Sequence, residues 1–223
     1  MLWNRVFLSL KTKNQRSLKK IFQKTMIWIS FSSNILIIIT AYILLKLKRD
    51  QIEFSSFIFF IALTGLSSGV AAFGHLPILN ESWTNSLIFI SRILSLISIY
   101  FFTDGSLAFA SFKTNKIIRI TNLILLITMV VVLFWNNVFL PVMIYGIVGF
   151  MGISLSAYLS NLEEAKKGRY IVMRGIGMLS LSALVFALFK DSYHFLAINI
   201  SHILVSYSLL LFSMGFVELN KYQ

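Results

Sequence analysis

Seven uninterrupted apolar runs dominate the chain, near residues 25–45, 54–76, 84–111, 117–135, 138–160, 170–190 and 192–217. About 20 such residues in an α-helix cross a hydrocarbon core of roughly 30 Å. Inside that core backbone polar groups must be satisfied without water, which leaves helices or closed barrels. Barrel strands would alternate apolar and polar residues over segments of about ten. These runs are continuous, so the sequence predicts an all-α, polytopic membrane protein, a bundle of seven transmembrane helices. The chain is 57% hydrophobic and 13% charged, where soluble domains carry about a quarter charged residues. Trp28, Trp83 and Trp135 fall at run ends, the interface position that indoles prefer. The third run is the least clean, with Arg92 inside it and Asp104 towards its end.

The net charge of +12 does not signal nucleic-acid binding, because the basic residues lie between the apolar runs, where they set topology. Eleven Lys and Arg follow runs 1, 3, 5 and 7, against Lys190 alone after runs 2, 4 and 6. The loops after runs 1, 3 and 5 are therefore expected in the cytoplasm, with the amino terminus outside and the carboxyl terminus inside. Arg5, Lys11, Lys13, Arg16, Lys19, Lys20 and Lys24 pull the other way. That stretch reads instead as a basic interfacial segment on anionic lipid, with Trp3, Phe7, Leu8 and Leu10 on its apolar side. Three parts result: an interfacial segment over 1–24, the seven-helix domain over 25–217 and a short tail over 218–223. The first run is too long, and starts too late, for a cleavable signal peptide. Zero cysteines exclude disulfides, thiolate metal sites and cysteine nucleophiles. Membrane lipids are the partners this composition implies, in a multi-pass protein of the cell membrane.

Polar groups at membrane depth are costly, so each is a candidate for function. The three histidines are His75, which closes span 2, and His194 and His202 on the entering half of span 7. Because the loops after spans 2, 4 and 6 share a side, all three approach one membrane face. Arg92 enters span 3 from that face, roughly a dozen ångströms down at 1.5 Å per residue. Asn199 lies one turn before His202, and Ser68 two turns before His75. Glu81 and Asp191 edge the same mouth. His75, Arg92, Asn199 and His202 are expected in one interhelical cluster open to this face.

The segment Ser67 to His75, together with Asn199 to His202, resembles the superfamily of alkaline ceramidases and progestin/adipoQ-type receptors, seven-span proteins with histidines in the second and seventh helices. The resemblance implies zinc held by His75 and His202, with His194 as third ligand or proton shuttle. It also implies Ser68 and Asn199 as supports for the ligands or an oxyanion, and Arg92 as a headgroup contact. The ion would lower the pKa of a bound water for attack on a lipid amide or ester. The superfamily's serine four residues before the span-2 histidine is Ala71 here, and its second span-7 histidine is Ile198. Asp104 falls towards the opposite end of span 3 from His75.

Histidines eight apart are roughly 12 Å apart along a continuous helix, whereas zinc bonds are about 2.0–2.1 Å. His194 and His202 can share an ion only if span 7 starts after His194 or breaks. Two classes of function stay open. One is a non-enzymatic protein, a receptor-like sensor or membrane assembly subunit, whose polar site packs the bundle or meets a lipid-like ligand or protein partner. The other is the zinc-dependent lipid hydrolase. A carrier is disfavoured, since no pair of short, interrupted spans stands in matching halves. A retinal Schiff base is disfavoured because span 7 holds no Lys. Asp104, Gly105 and Ser106 read as a frayed or kinked end of span 3, and Gly146, Gly149 and Gly152 as a helix-packing stripe with Ser154 and Ser156. Gly175 and Gly177 beside Arg174 lack the lysine and strand of a nucleotide loop.

Overall fold

The computed structural model describes residues 25, 27–52, 55–76, 78–109, 116–159, 165–189 and 194–221. The expected interfacial segment 1–24, together with Lys190 and Asp191, lies outside them. Seven helices are long and apolar enough to span: α1 (Ile27–Lys48), α2 (Ser55–Gly74), α3 (Glu81–Phe109), α4 (Lys116–Trp135), α5 (Leu140–Leu159), α6 (Lys166–Phe189) and α7 (His194–Asn220). No strand occurs among the described residues. The helices outrun the apolar runs mainly at charged ends: α6 starts at Lys166, and α7 continues through Glu218. Hydropathy falls once a run reaches the headgroup layer, but the backbone there still prefers internal hydrogen bonds.

Two antiparallel pairs, α2 with α3 and α6 with α7, pack closely along their lengths. Lipid tails are as apolar as leucine, so helices associate through tight packing and interhelical hydrogen bonds rather than through water exclusion. The α2–α3 seam is a ladder of hydroxyls. Ser67 Oγ donates to Ser91 O at 2.9 Å and lies 2.8 Å from Ser95 Oγ, and further along Thr64 Oγ1 lies 2.6 Å from Ser98 Oγ. In the α6–α7 seam, Ser182 Oγ donates to Ser201 O and Ser201 Oγ to Ser182 O, both at 3.0 Å. Ser201→Ala is expected to lower stability by about 0.6 kcal/mol, the usual worth of one interhelical hydrogen bond in a membrane. Denaturant titration of the purified protein checks this.

The interior is aromatic. Phe57 stacks on Phe216 with ring centroids 3.7 Å apart, and Phe102 sits among Phe60, Phe150 and Phe212 at 4.7 to 4.9 Å. These rings draw α2, α3, α5 and α7 together and fill the bundle centre. By contrast α4 is the least buried of the seven and presents Ile117, Ile124 and Ile127 outward.

Asp104 is not at a frayed end. It lies within α3, accepts the Ser56 hydroxyl at 3.0 Å and faces Arg119 of α4 at 3.5 Å. An acid in the last turns of a long helix keeps its place when two neighbouring helices satisfy it. The glycines of α5 also differ from expectation. Residues Ile147–Ser154 wind as a π-helix, whose i→i+5 bonding takes residues three apart off a common stripe. Only Gly149 makes a close approach, where a Cβ would stand 2.9 Å from Ile99 and Thr103 of α3, whereas at Gly152 it would meet nothing within 4 Å.

Faces are fixed by cross-links between ends. The Asn220 side-chain amide donates to Gln51 O, so α7 ends at the face of the α1–α2 loop. Arg92 and Asn137 tie α3 to the α4–α5 loop on the opposite face.

Candidate functional site

Near the face of the α2–α3 and α6–α7 loops, α1 meets α7 through polar side chains. Asn199 and His202 are three residues apart, so they share a helix face. Opposite them is Ser33 of α1, whose Oγ lies 2.7 Å from His202 Nδ1 and 2.9 Å from Asn199 Oδ1. The same oxygen is 2.9 Å from Ser30 O. A hydroxyl carries one hydrogen and can accept on its lone pairs. Ser33 can donate to Nδ1, or it can accept from a protonated Nδ1 and pass its own hydrogen to Asn199 Oδ1. The contact therefore accommodates both states of the imidazole with a change in bond direction and no change in partners. Asn34 is buried beside it and donates to Ser30 O at 3.0 Å.

Two hydroxyls near this joint are buried without a hydrogen-bond partner among the described residues: Ser30 in α1, and Ser206 one turn beyond His202 in α7. Buried polar groups are nearly always satisfied. The joint therefore holds more hydrogen-bonding capacity than this arrangement uses.

His75 follows α2 as a turn residue, its N–H meeting Ala71 O and Ala72 O, and its side chain is exposed. It closes α2 at the face where α7 begins. His75, Asn199 and His202 thus gather at one end of the bundle. Ser68 has no hydrogen-bond partner there among the described residues, and its neighbour Ser67 makes the α2–α3 bonds instead.

Arg92 stands apart from this group. Its Nη1 donates to both Asn137 O and Asn137 Oδ1 at 2.5 Å. Helix α3 has 29 residues, about 43 Å at 1.5 Å per residue, and the bonds to Asn137 bring Arg92 level with the connection between α4 and α5.

The three-histidine zinc set finds no support among the described residues. Helix α7 runs unbroken from His194, so His194 and His202 are eight positions apart on one continuous helix, roughly 12 Å of rise. Nothing is described of the His194 side chain. Among the described residues no group of three His, Cys, Asp or Glu could hold a metal ion, and Nδ1 of His202 is engaged by Ser33. The close Ser33–His202 pair also lacks the other parts of a nucleophilic site. Both residues lie in helix interiors, where backbone N–H groups are used by the helix and supply no oxyanion hole.

Sequence reasoning missed the α1 half of the joint. Its signal is the run Ser30, Phe31, Ser32, Ser33, Asn34 inside an apolar span, which the cost of polar groups at membrane depth marks as surely as it marks the histidines.

The fold defines a polytopic, seven-helix integral membrane protein with a polar joint between its first and last helices. Residues 29–221 match DUF6962, a family of unknown function, and the chain belongs to that family. No curated protein and no solved structure matches it.

Proposed function

We propose that this chain is a receptor-like sensor of the cell membrane, with its input at the joint between α1 and α7. The observation that supports this reading is the Ser33–His202–Asn199 contact. It links the first and last helices through a side chain that can gain or lose a proton. A proton on Nδ1 reverses the bond to Ser33, and the hydroxyl's own hydrogen passes to Asn199 Oδ1. A small ligand with one donor and one acceptor competes for the same groups, and the unsatisfied hydroxyls of Ser30 and Ser206 offer it further partners. A ligand displaces the Ser33 bond outright, whereas a proton keeps that bond but leaves a charge at membrane depth, whose cost falls if α1 and α7 part to admit water.

The absence of native cysteines makes the test direct. Spin labels on cysteines introduced at Ile29 and Leu196, both exposed near this face, report the α1–α7 distance in liposomes. Between pH 8 and pH 3.5 the distance distribution is expected to shift or gain a second population, and His202→Gln is expected to abolish the response while keeping a hydrogen-bonding side chain. A single, pH-independent distribution in the labelled protein with His202 intact would reject proton sensing at this joint.

A further inference from the structure

We propose that the groove beside Arg92 holds the phosphate of an anionic phospholipid, at a site separate from the α1–α7 joint. A guanidinium keeps its charge in any protein environment and carries five N–H donors. Here one terminal nitrogen is used, on the neutral oxygens of Asn137. Among the described residues no carboxylate forms an ion pair with Arg92, while Asp104 and Glu218 are each paired. Glu81 stands eleven residues back along α3, about 16 Å of rise. A half-buried cation with unused donors and no counter-ion calls for an anion from outside the protein.

The neighbouring surface suits the head and tail of one molecule. A groove of about 350 Å³ is lined by Asn85, Ser86, Phe89, Ile90 and Asn137, the last being the residue that holds Arg92. Asn85, Phe89 and Arg92 follow one another at spacings of four and three along α3, so they share a face. Asn85 and Ser86 supply hydrogen-bonding groups for phosphate oxygens. Phe89, Ile90 and the exposed Phe134, whose ring lies 4.8 Å from Phe89, form an apolar track for an acyl chain. The position of Arg92, level with the α4–α5 connection, is that of a headgroup rather than of the bilayer centre. An amphiphile matches these walls better than a free anion does.

The protein is purified, stripped of loosely held lipid, and returned to phosphatidylcholine discs with or without phosphatidylglycerol. Native mass spectrometry is expected to find one phosphatidylglycerol retained, with a raised unfolding temperature in its presence. Arg92→Gln is expected to weaken that retention about tenfold, the scale of one charge-assisted pair. Asn85→Asp places a carboxylate in the groove as an internal counter-ion, so it should release the lipid from a folded protein even if Arg92→Gln does not fold. Inorganic phosphate is expected not to displace the lipid; displacement would identify a free-anion site and overturn the lipid assignment. Equal retention of phosphatidylcholine, or undiminished retention by Asn85→Asp, would overturn the site itself.

Discussion

Replacing Gly215 by leucine is expected to lower stability by about 3 kcal/mol or more, the upper range for forcing bulk into a packed interior. A Cβ at position 215 would stand 2.5 Å from Val172 Cγ2, 3.1 Å from the backbone nitrogen of Val172 and 3.2 Å from the carbonyl oxygen of Gly168. A side chain can rotate away, but backbone atoms cannot yield without parting α6 from α7. Parting them would also strain the reciprocal bonds between Ser182 and Ser201. Gly177 of α6 is the control, since a Cβ there would meet nothing within 4 Å. Gly177→Ala should gain up to about 1 kcal/mol from helix propensity. Unfolding in mixed micelles, followed by helical circular dichroism, measures both. An unchanged midpoint for Gly215→Leu would contradict backbone contact between these helices.

Phe102→Ala is expected to cost about 3 kcal/mol, the low end for deleting a buried phenyl. The ring is fully buried and meets aromatic neighbours from three other helices, Phe60 of α2, Phe150 of α5, and Phe212 and Phe216 of α7. In a bilayer the lost energy is dispersion and cavity formation, with little water-transfer contribution, which places the value at the low end. Ile124→Ala, on the outward face of α4, should change stability by less than about 0.5 kcal/mol. A comparable loss at both positions would mean that Ile124 faces protein rather than lipid.

The architecture was legible because length and apolar continuity are enough to predict spanning helices, and all seven runs correspond to observed helices. Depth was legible only in part. The run over 84–111 already carries the length of α3, but the partner of Arg92 was not readable, because Asn137 lies in a connection between two other helices. Partners across helices were legible only in part. Asn199 and His202 follow from one-turn spacing on α7, but their link to Ser33 depends on how the first helix sits against the last, which periodicity within one helix does not encode. Asp104 shows the same limit: its neighbours on α3 suggest a kink, while its partners Ser56 and Arg119 come from two other helices.

The π-wound stretch of α5 has a consequence for how this chain tolerates insertions and deletions. Tyr158, just beyond that stretch, is fully buried, accepts from the Ser106 hydroxyl at 3.3 Å and offers its carbonyl to Arg169. A helix turns about 100° per residue, and a wider winding shifts the phase of everything that follows it. Removing one residue between positions 147 and 154 lets the stretch close to α-helical winding, which absorbs much of the roughly 100° step and leaves Tyr158 near its place. Removing one residue from the α-wound turn at 155–157 has no such reserve and would turn the phenol away from Ser106. The extra width in α5 therefore acts as slack: a one-codon deletion inside it spares Tyr158, and one beyond it does not.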